Sequence, residues 1–322
     1  MRVNRGWGLI TMSVAAIAAL AAIVPSSGQG ARGVNIYDPG DIIVADSVHQ
    51  TVKAVDPVTG AASQITNAAF AAPYDVTFAD DGDIFVVDRD AFGGTGGIRR
   101  LESTTGAQTA VTSNDLSAAA GGKELMRNPV ALDRKGDSLF VADYSPPRKI
   151  IEVDIATGKQ SLVTKAGALQ SPFGIIDAEG ANLLVSDASA FHNNNERGAV
   201  IEVNANTGKQ TALSKKGKFV FPQNLALLGS KNVLVTDTDT FQKPGVVFKV
   251  NLKTGAQKTL AKGLPLHSPG GIALIDNDTA AVADYYAPSG SGGIYSVDLD
   301  TGDQTLLNGT DLSNPSGIRI AP

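Results

Sequence analysis

The residues "SLFVADYSPPRKIIEVDIATGKQ", Ser138 to Gln160, decide how the chain folds. An apolar run stops at Asp143, an irregular loop follows, and a second apolar run leads to a Thr157-Gly158 turn. Runs this short, bounded by turn residues, read as strands rather than helices. The absence of polar alternation in "LFVAD" marks a strand covered on both faces. In "VDIATGKQ" the Asp154 side chain can bond nearby backbone N–H groups, and Gly158 supplies the positive φ of a tight hairpin.

The same parts recur six times. Apolar runs end at Asp46, Asp88, Asp143, Asp187, Asp237 and Asp284. The second residue of each Thr-Gly pair is Gly60, Gly106, Gly158, Gly208, Gly255 or Gly302. A third marker, proline followed two residues later by an aliphatic, starts at Pro73, Pro129, Pro172, Pro222, Pro269 and Pro315. The first and last of these prolines are 242 residues apart over five steps, about 48 per unit. A repeat of about 40–50 residues holding four short strands signals a β-propeller. The first unit, at "GDIIVAD", lacks the Pro-led strand, and the chain ends in "PSGIRIAP", which is only that strand. Residues 318–320 are therefore expected to form the innermost strand of a blade whose other strands lie within 41–66, which removes two open sheet edges. The prediction is an all-β, six-bladed propeller with four-stranded blades. It forms one domain over residues 31–322, and the C-terminal strand closes the ring on the N-terminal blade.

Residues 1–30 read differently. Arg2 and Arg5 precede an apolar run from Leu9 to Val24, and Pro25-Ser-Ser-Gly28 follows. The run has 16 residues, short of the roughly 20 that a spanning helix needs. It reads as a secretory signal cut after Gly28 or Gly30, which leaves a secreted or periplasmic chain without a membrane span. Removing Arg2 and Arg5 takes the formal charge from −5 to −7. No stretch has the basic density of a nucleic-acid binder. The chain has no cysteine, which excludes thiol catalysis and zinc–thiolate sites.

In a propeller of this topology, the loops entering each first strand and those joining second to third strands share one end of the channel. The Thr-Gly turns lie at the other. Loops of the first end vary most, among them "DRDAFGGTGG", "DASAFHNNNERG" and "DYYAPSGSGG", and function on a rigid scaffold concentrates in such loops. The long stretch "TSNDLSAAAGGKELMRNP" before the third blade is expected to hold a short helix or a lid. Candidate ligand contacts are Tyr74, Phe173 and Gln223, each directly after a repeat proline, and Tyr285 and Tyr286 after a repeat Asp. Phe92, Phe191 and Phe241 each fall four residues after a repeat Asp, a regularity that suits loop packing. Two residues after the proline stands Gly in three copies and Ala131 in one, but Asp75 in blade two and Asn224 in blade five, which face each other across the axis. A carboxylate and an amide oxygen there suit Ca²⁺, an ion of 6–8 oxygen ligands; equally, both side chains suit loop backbone. The six repeat Asp residues read as scaffold that caps turns. His49, His192 and His267 read as solvated loop residues without a zinc arrangement.

Pro315-Ser-Gly-Ile318, Val141-Ala-Asp143 and Val282-Ala-Asp284 resemble the unit of the NHL-repeat family of six-bladed propellers. The resemblance covers essentially the whole mature chain and implies an architecture rather than a chemistry. More distantly, the chain is similar to the senescence marker protein and gluconolactonase family, whose catalytic metal sits at the channel mouth on Glu, Asn and Asp. Asp75 and Asn224 match that set in part. Asn224 stands one position after the residue following the proline, Gln223, and Ser316 and Gly317 stand where a first-blade Glu would be. Two functions are expected. One is an exported module that binds a small molecule or a protein through its loop-rich face. The alternative is a metal-dependent hydrolase or lactonase with a divalent ion at the channel mouth. The sequence leaves open whether the chain is an enzyme and what its ligand is.

Overall fold

Strand β1, Ile42–Asp46, shows why these runs lack polar alternation. Ile43 and Ala45 enter one core cluster with Val76, Ile84 and Val86 of the next blade. Ile42 and Val44 enter another with Ala281, Ala283 and Ile294 of the preceding blade. The strand alternates with period two, but between two apolar neighbours. The same holds round the ring, so the core is six clusters, each between adjacent blades. Each fully buried Ile, Leu or Val contributes about 1.5–3 kcal/mol of transfer free energy.

The computed structural model describes residues 35–189, 198–214, 217–238, 244–286 and 290–322. The leader and its cleavage site, Phe191, His192 and Phe241 lie outside the described residues. Residues Val34–Pro322 form one compact unit. Among its described residues 24 strands make six antiparallel four-stranded sheets. The inner strands of blades two to six are β4 (Pro73–Phe78), β8 (Pro129–Lys135), β12 (Pro172–Asp177), β16 (Pro222–Leu228) and β20 (Pro269–Leu274). Blade one has the order β24-β1-β2-β3, with β24 spanning Pro315–Ile320, β2 Thr51–Val55 and β3 Ala62–Gln64. Ile42 pairs with Ile320 and Val44 with Ile318, so the C-terminal strand closes the ring as expected.

Each sequence marker has a structural duty. Every repeat Asp lies opposite the proline of its own blade, as Asp88 does Pro73 and Asp284 does Pro269. In blades two to six its carboxylate accepts the two amides that precede that proline, as Asp88 takes Ala71 and Ala72, Asp143 takes Arg127 and Asn128, and Asp237 takes Val220 and Phe221; in blade one Asp46 takes that of Ser313 alone, and the Asn314 amide donates to the Ser291 carbonyl. Some also cap the following turn, as Asp143 does through the Ser145 amide and Asp187 through that of Ser189. The residue therefore staples the loop before the inner strand as well as the turn after its own strand. Gly255 has φ +69°, and a Cβ there would sit 1.9 Å from the Leu213 carbonyl oxygen of the preceding blade. The Thr-Gly glycines thus close a hairpin and let it abut the neighbouring sheet.

The stretch before blade three is packed down. Its helix, Asn114–Ala119, is capped by Ser113, whose Oγ accepts the Leu116 amide at 3.2 Å. Asn114 exchanges hydrogen bonds with the Met126 backbone, and the Met126 side chain is fully buried. Phe92 packs on its own blade, with the Arg99 guanidinium 5.0 Å from its ring centre.

Candidate functional site

The channel has two mouths, and the six inner strands furnish both. At the proline end the walls come from the first and second residues after each proline. Tyr74, Phe173, Gln223, Asn224, Tyr285 and Ser316 line a cavity of about 10 Å³ there, room for about one water. Four of the five expected ligand contacts, Tyr74, Phe173, Gln223 and Tyr285, are brought together here; the fifth, Tyr286, stands outside, 55% exposed. The rings form a plug. Phe173 lies 5.3 Å from Tyr144 and 5.0 Å from Phe221. Arg89 covers Tyr74 at 4.8 Å and Arg148 covers Tyr144 at 4.6 Å. Burial, then its neighbour and hydrogen-bond partner Tyr74, push the Tyr285 hydroxyl well above its ordinary pKa.

Glycines let this end close. A Cβ on Gly271 would lie 2.2 Å from the Ser316 carbonyl oxygen, and one on Gly317 2.0 Å from Asp75 Oδ1. Asp75 is buried and committed: Oδ1 accepts the Val76 amide at 3.0 Å and Oδ2 the Leu132 amide of blade three at 3.1 Å. Burial raises its pKa to about 6, against the lowering effect of Arg319 and those two amides. Asn224 Oδ1 accepts the Leu225 amide at 2.7 Å. As arranged, these residues do not fit a divalent ion: their oxygens serve backbone, and the Arg319 guanidinium, 3.8 Å from Asp75, already supplies positive charge. Among the described residues no three His, Asp, Glu or Cys side chains group as metal ligands.

The outer surface of the proline end is apolar in places. Val48 is 60% exposed and Leu264 74%. Both flank inner-strand loops of blades one and six, as Tyr286 does; the Val48 amide reaches the Ser313 carbonyl, and Tyr286 meets His267 edge-on at 6.2 Å.

At the Thr-Gly end the channel opens into a cavity of about 310 Å³. Blades five and six line it with Leu225–Leu227 and Ile272–Leu274, and blades one, three and four with Arg319, Asp133 and Asp177. Thr77 Oγ1 donates to Asp133 Oδ1 at 2.9 Å, and the Asp177 amide to Asp133 Oδ2 at 2.7 Å. Lys135 pairs with Asp177 and donates to the Ala178 carbonyl at 3.1 Å. Sequence reasoning passed over this set because it compared only the first two positions after each proline. The fourth position reads Thr77, Asp133, Ile176, Ala226, Ala273 and Arg319. Two charges in a column otherwise Thr or apolar were the available signal.

The fold is shared widely. The chain is similar to a chain of a solved nidogen/laminin complex (TM-score 0.68, 16% identity), with 88% of this chain and 98% of that one covered. It is also similar to TolB from Acinetobacter baumannii (TM-score 0.62, 13% identity), with 88% and 67% covered. No protein-family model matches the sequence, and no curated protein matches it. At these identities the likeness establishes the six-bladed propeller architecture.

Proposed function

We propose that the chain is an exported binding module that engages a protein partner through its proline-end face, over blades six and one. The observation that carries this reading is the contrast on that face between a plugged mouth and an exposed apolar surface. A cavity of about 10 Å³ is far below the roughly 300 Å³ of the smallest ordinary ligand pockets. Val48, Leu264 and Tyr286 nonetheless stand exposed around it, and exposed apolar residues grouped on one face favour a protein contact. The similar propeller chain of the nidogen/laminin complex supports the class of role. Export rests on the leader read in residues 1–30; among the described residues no helix is long and apolar enough to cross a membrane. The lactonase reading takes second place, since Asp75 and Asn224 spend their oxygens on amides.

The test is a comparison of two immobilised chains, wild type and a V48S/L264S/Y286A variant, against the secreted or periplasmic proteins of the source cell. The reading expects a partner retained by the wild type and released by the variant at equal melting temperature. Equal retention by both would refute the assignment of this face.

A further inference from the structure

The open mouth at the Thr-Gly end holds polar groups that scaffold duties do not use up. Arg319 reaches from β24 across the front of blade two. Its Nη1 donates to the Ile318 carbonyl at 3.0 Å and its Nη2 to that of Leu132 at 3.4 Å. The carboxylates that balance its charge, Asp75 and Asp133, both stand 3.8 Å away. A charge-assisted N–H···O bond is about 2.7–2.9 Å long, so the guanidinium is neutralised at a distance while hydrogen-bonding capacity remains. Asp133 accepts one hydroxyl and one amide, half of the roughly four lone-pair sites of a carboxylate. Asp177 has Lys135 beside it. The polar sector thus pairs two carboxylates with two cations, and the side chains of Arg319 and Asp133 are only 16% and 17% exposed. Charges so far withdrawn from water interact strongly with whatever replaces it.

This pattern selects among ligand classes. A lone anion would meet Asp133 and Asp177, and a lone cation would meet Arg319, with Lys135 already paired to Asp177. A wholly apolar molecule would strip water from all of them without return. Opposite the charges, the blade-five and blade-six wall offers Leu227, Leu274 and the methyls of Ala226 and Ala273. The volume, about 310 Å³, is at the small end of the roughly 300–1,000 Å³ range of ligand pockets. We propose that this mouth binds a small zwitterion with an apolar side chain, of the α-amino acid class. The carboxylate lies on Arg319, the ammonium between Asp133 and Asp177, and the side chain against Leu227 and Leu274. The site is separate from the protein-binding face at the other end and does not depend on it.

Calorimetric titration of the purified chain tests the assignment with defined probes: L-leucine, L-isoleucine, L-methionine and L-phenylalanine. The expected result is saturable binding of at least one. N-acetylation, conversion to the amide, and replacement by glycine each weaken it about tenfold or more. Asp177→Asn and Arg319→Lys weaken it by a similar factor, and the V48S/L264S/Y286A variant leaves it unchanged. The analogue series uses the wild type alone, so it stands even if an Arg319 variant fails to fold. No saturable binding of any of the four up to about 10 mM, a concentration beyond weak specific affinity, overturns the proposal. Equal affinity for the amide or the N-acetyl analogue overturns it too, because such a site would read a peptide end or a plain apolar group.

Discussion

The two mouths of the channel are built by the same six strands, a few residues apart, and end up opposite in character. At the proline end, Gly174, Gly271 and Gly317 let neighbouring inner strands come so close that a Cβ on any of them would lie within about 3 Å of the next strand. Tyr74, Phe173 and Tyr285 then fill what remains. Two positions further along, Ala226 and Ala273 leave space on one side, and Asp133 and Arg319 hold the other. Size therefore runs in opposite directions at the two levels: small side chains seal the first by drawing strands together, and small side chains open the second by leaving room. The sealed mouth offers a partner only its outer surface, whereas the open one offers an interior.

The largest expected effect comes from ending the chain at Asn314. This removes β24, which gives Ser316 and Gly317 to the sealed mouth and Arg319 to the open one. It also strips the partner from β1 and exposes two apolar blade interfaces. Loss of cooperative thermal unfolding by circular dichroism is the expected outcome, and a retained sharp transition would contradict ring closure as the source of stability.

A smaller effect tracks pH at the boundary between the mouths. With its pKa raised to about 6 by burial, Asp75 keeps its proton in the folded state after the unfolded chain has lost it. Its contribution is therefore most favourable in acid and is lost as pH rises from about 4 to about 6, by about 3 kcal/mol. Denaturant titrations of the wild type and Asp75→Asn should diverge by that amount across the window and run parallel above about pH 7. Parallel curves throughout would show that Asp75 is not buried as a charge between Arg319 and the blade-three strand.

Gly317→Ala probes the seal itself. Its Cβ would stand 2.0 Å from Asp75 Oδ1, and overpacking of this kind costs about 1–3 kcal/mol. A lowered melting temperature is expected, with L-leucine binding at the open mouth retained; an unchanged melting temperature would mean the strands are not in close approach. The smallest expected effect is none at all: about 1 mM Ca²⁺ should leave the melting temperature of the wild type unmoved, because a ligand stabilises only by binding the folded state. A clear rise would return Asp75 and Asn224 to a metal site.

Most of the architecture was legible because each recurring residue has a local task that any blade must perform. An Asp paired across from a Pro, a Gly at positive φ after Thr, and an apolar run buried on both sides each mean the same thing six times over. Ring closure was legible from the missing first strand and the surplus last one. That Tyr74, Phe173, Gln223 and Tyr285 gather at one level of the channel was also legible, since register brings the residues after each proline, and the residue after the Asp that faces it, to one end. What register cannot convey is fit. Whether those rings leave a pocket or fill one depends on strand separation set by Gly271 and Gly317 and on the reach of Arg89 and Arg148, which are tertiary facts. The open mouth went unread because only the first two positions after each proline were compared: the charges at the fourth, Asp133 and Arg319, come together once β24 closes the ring.

The contrast between the mouths is tested most directly by a high-resolution crystal structure of the chain soaked in L-leucine. The account predicts ligand density at the Thr-Gly end against Arg319 and Asp133, and no more than a single ordered water among Tyr74, Tyr285 and Ser316. A bound metal or ligand among those plug residues, with only solvent beside Arg319, would contradict it.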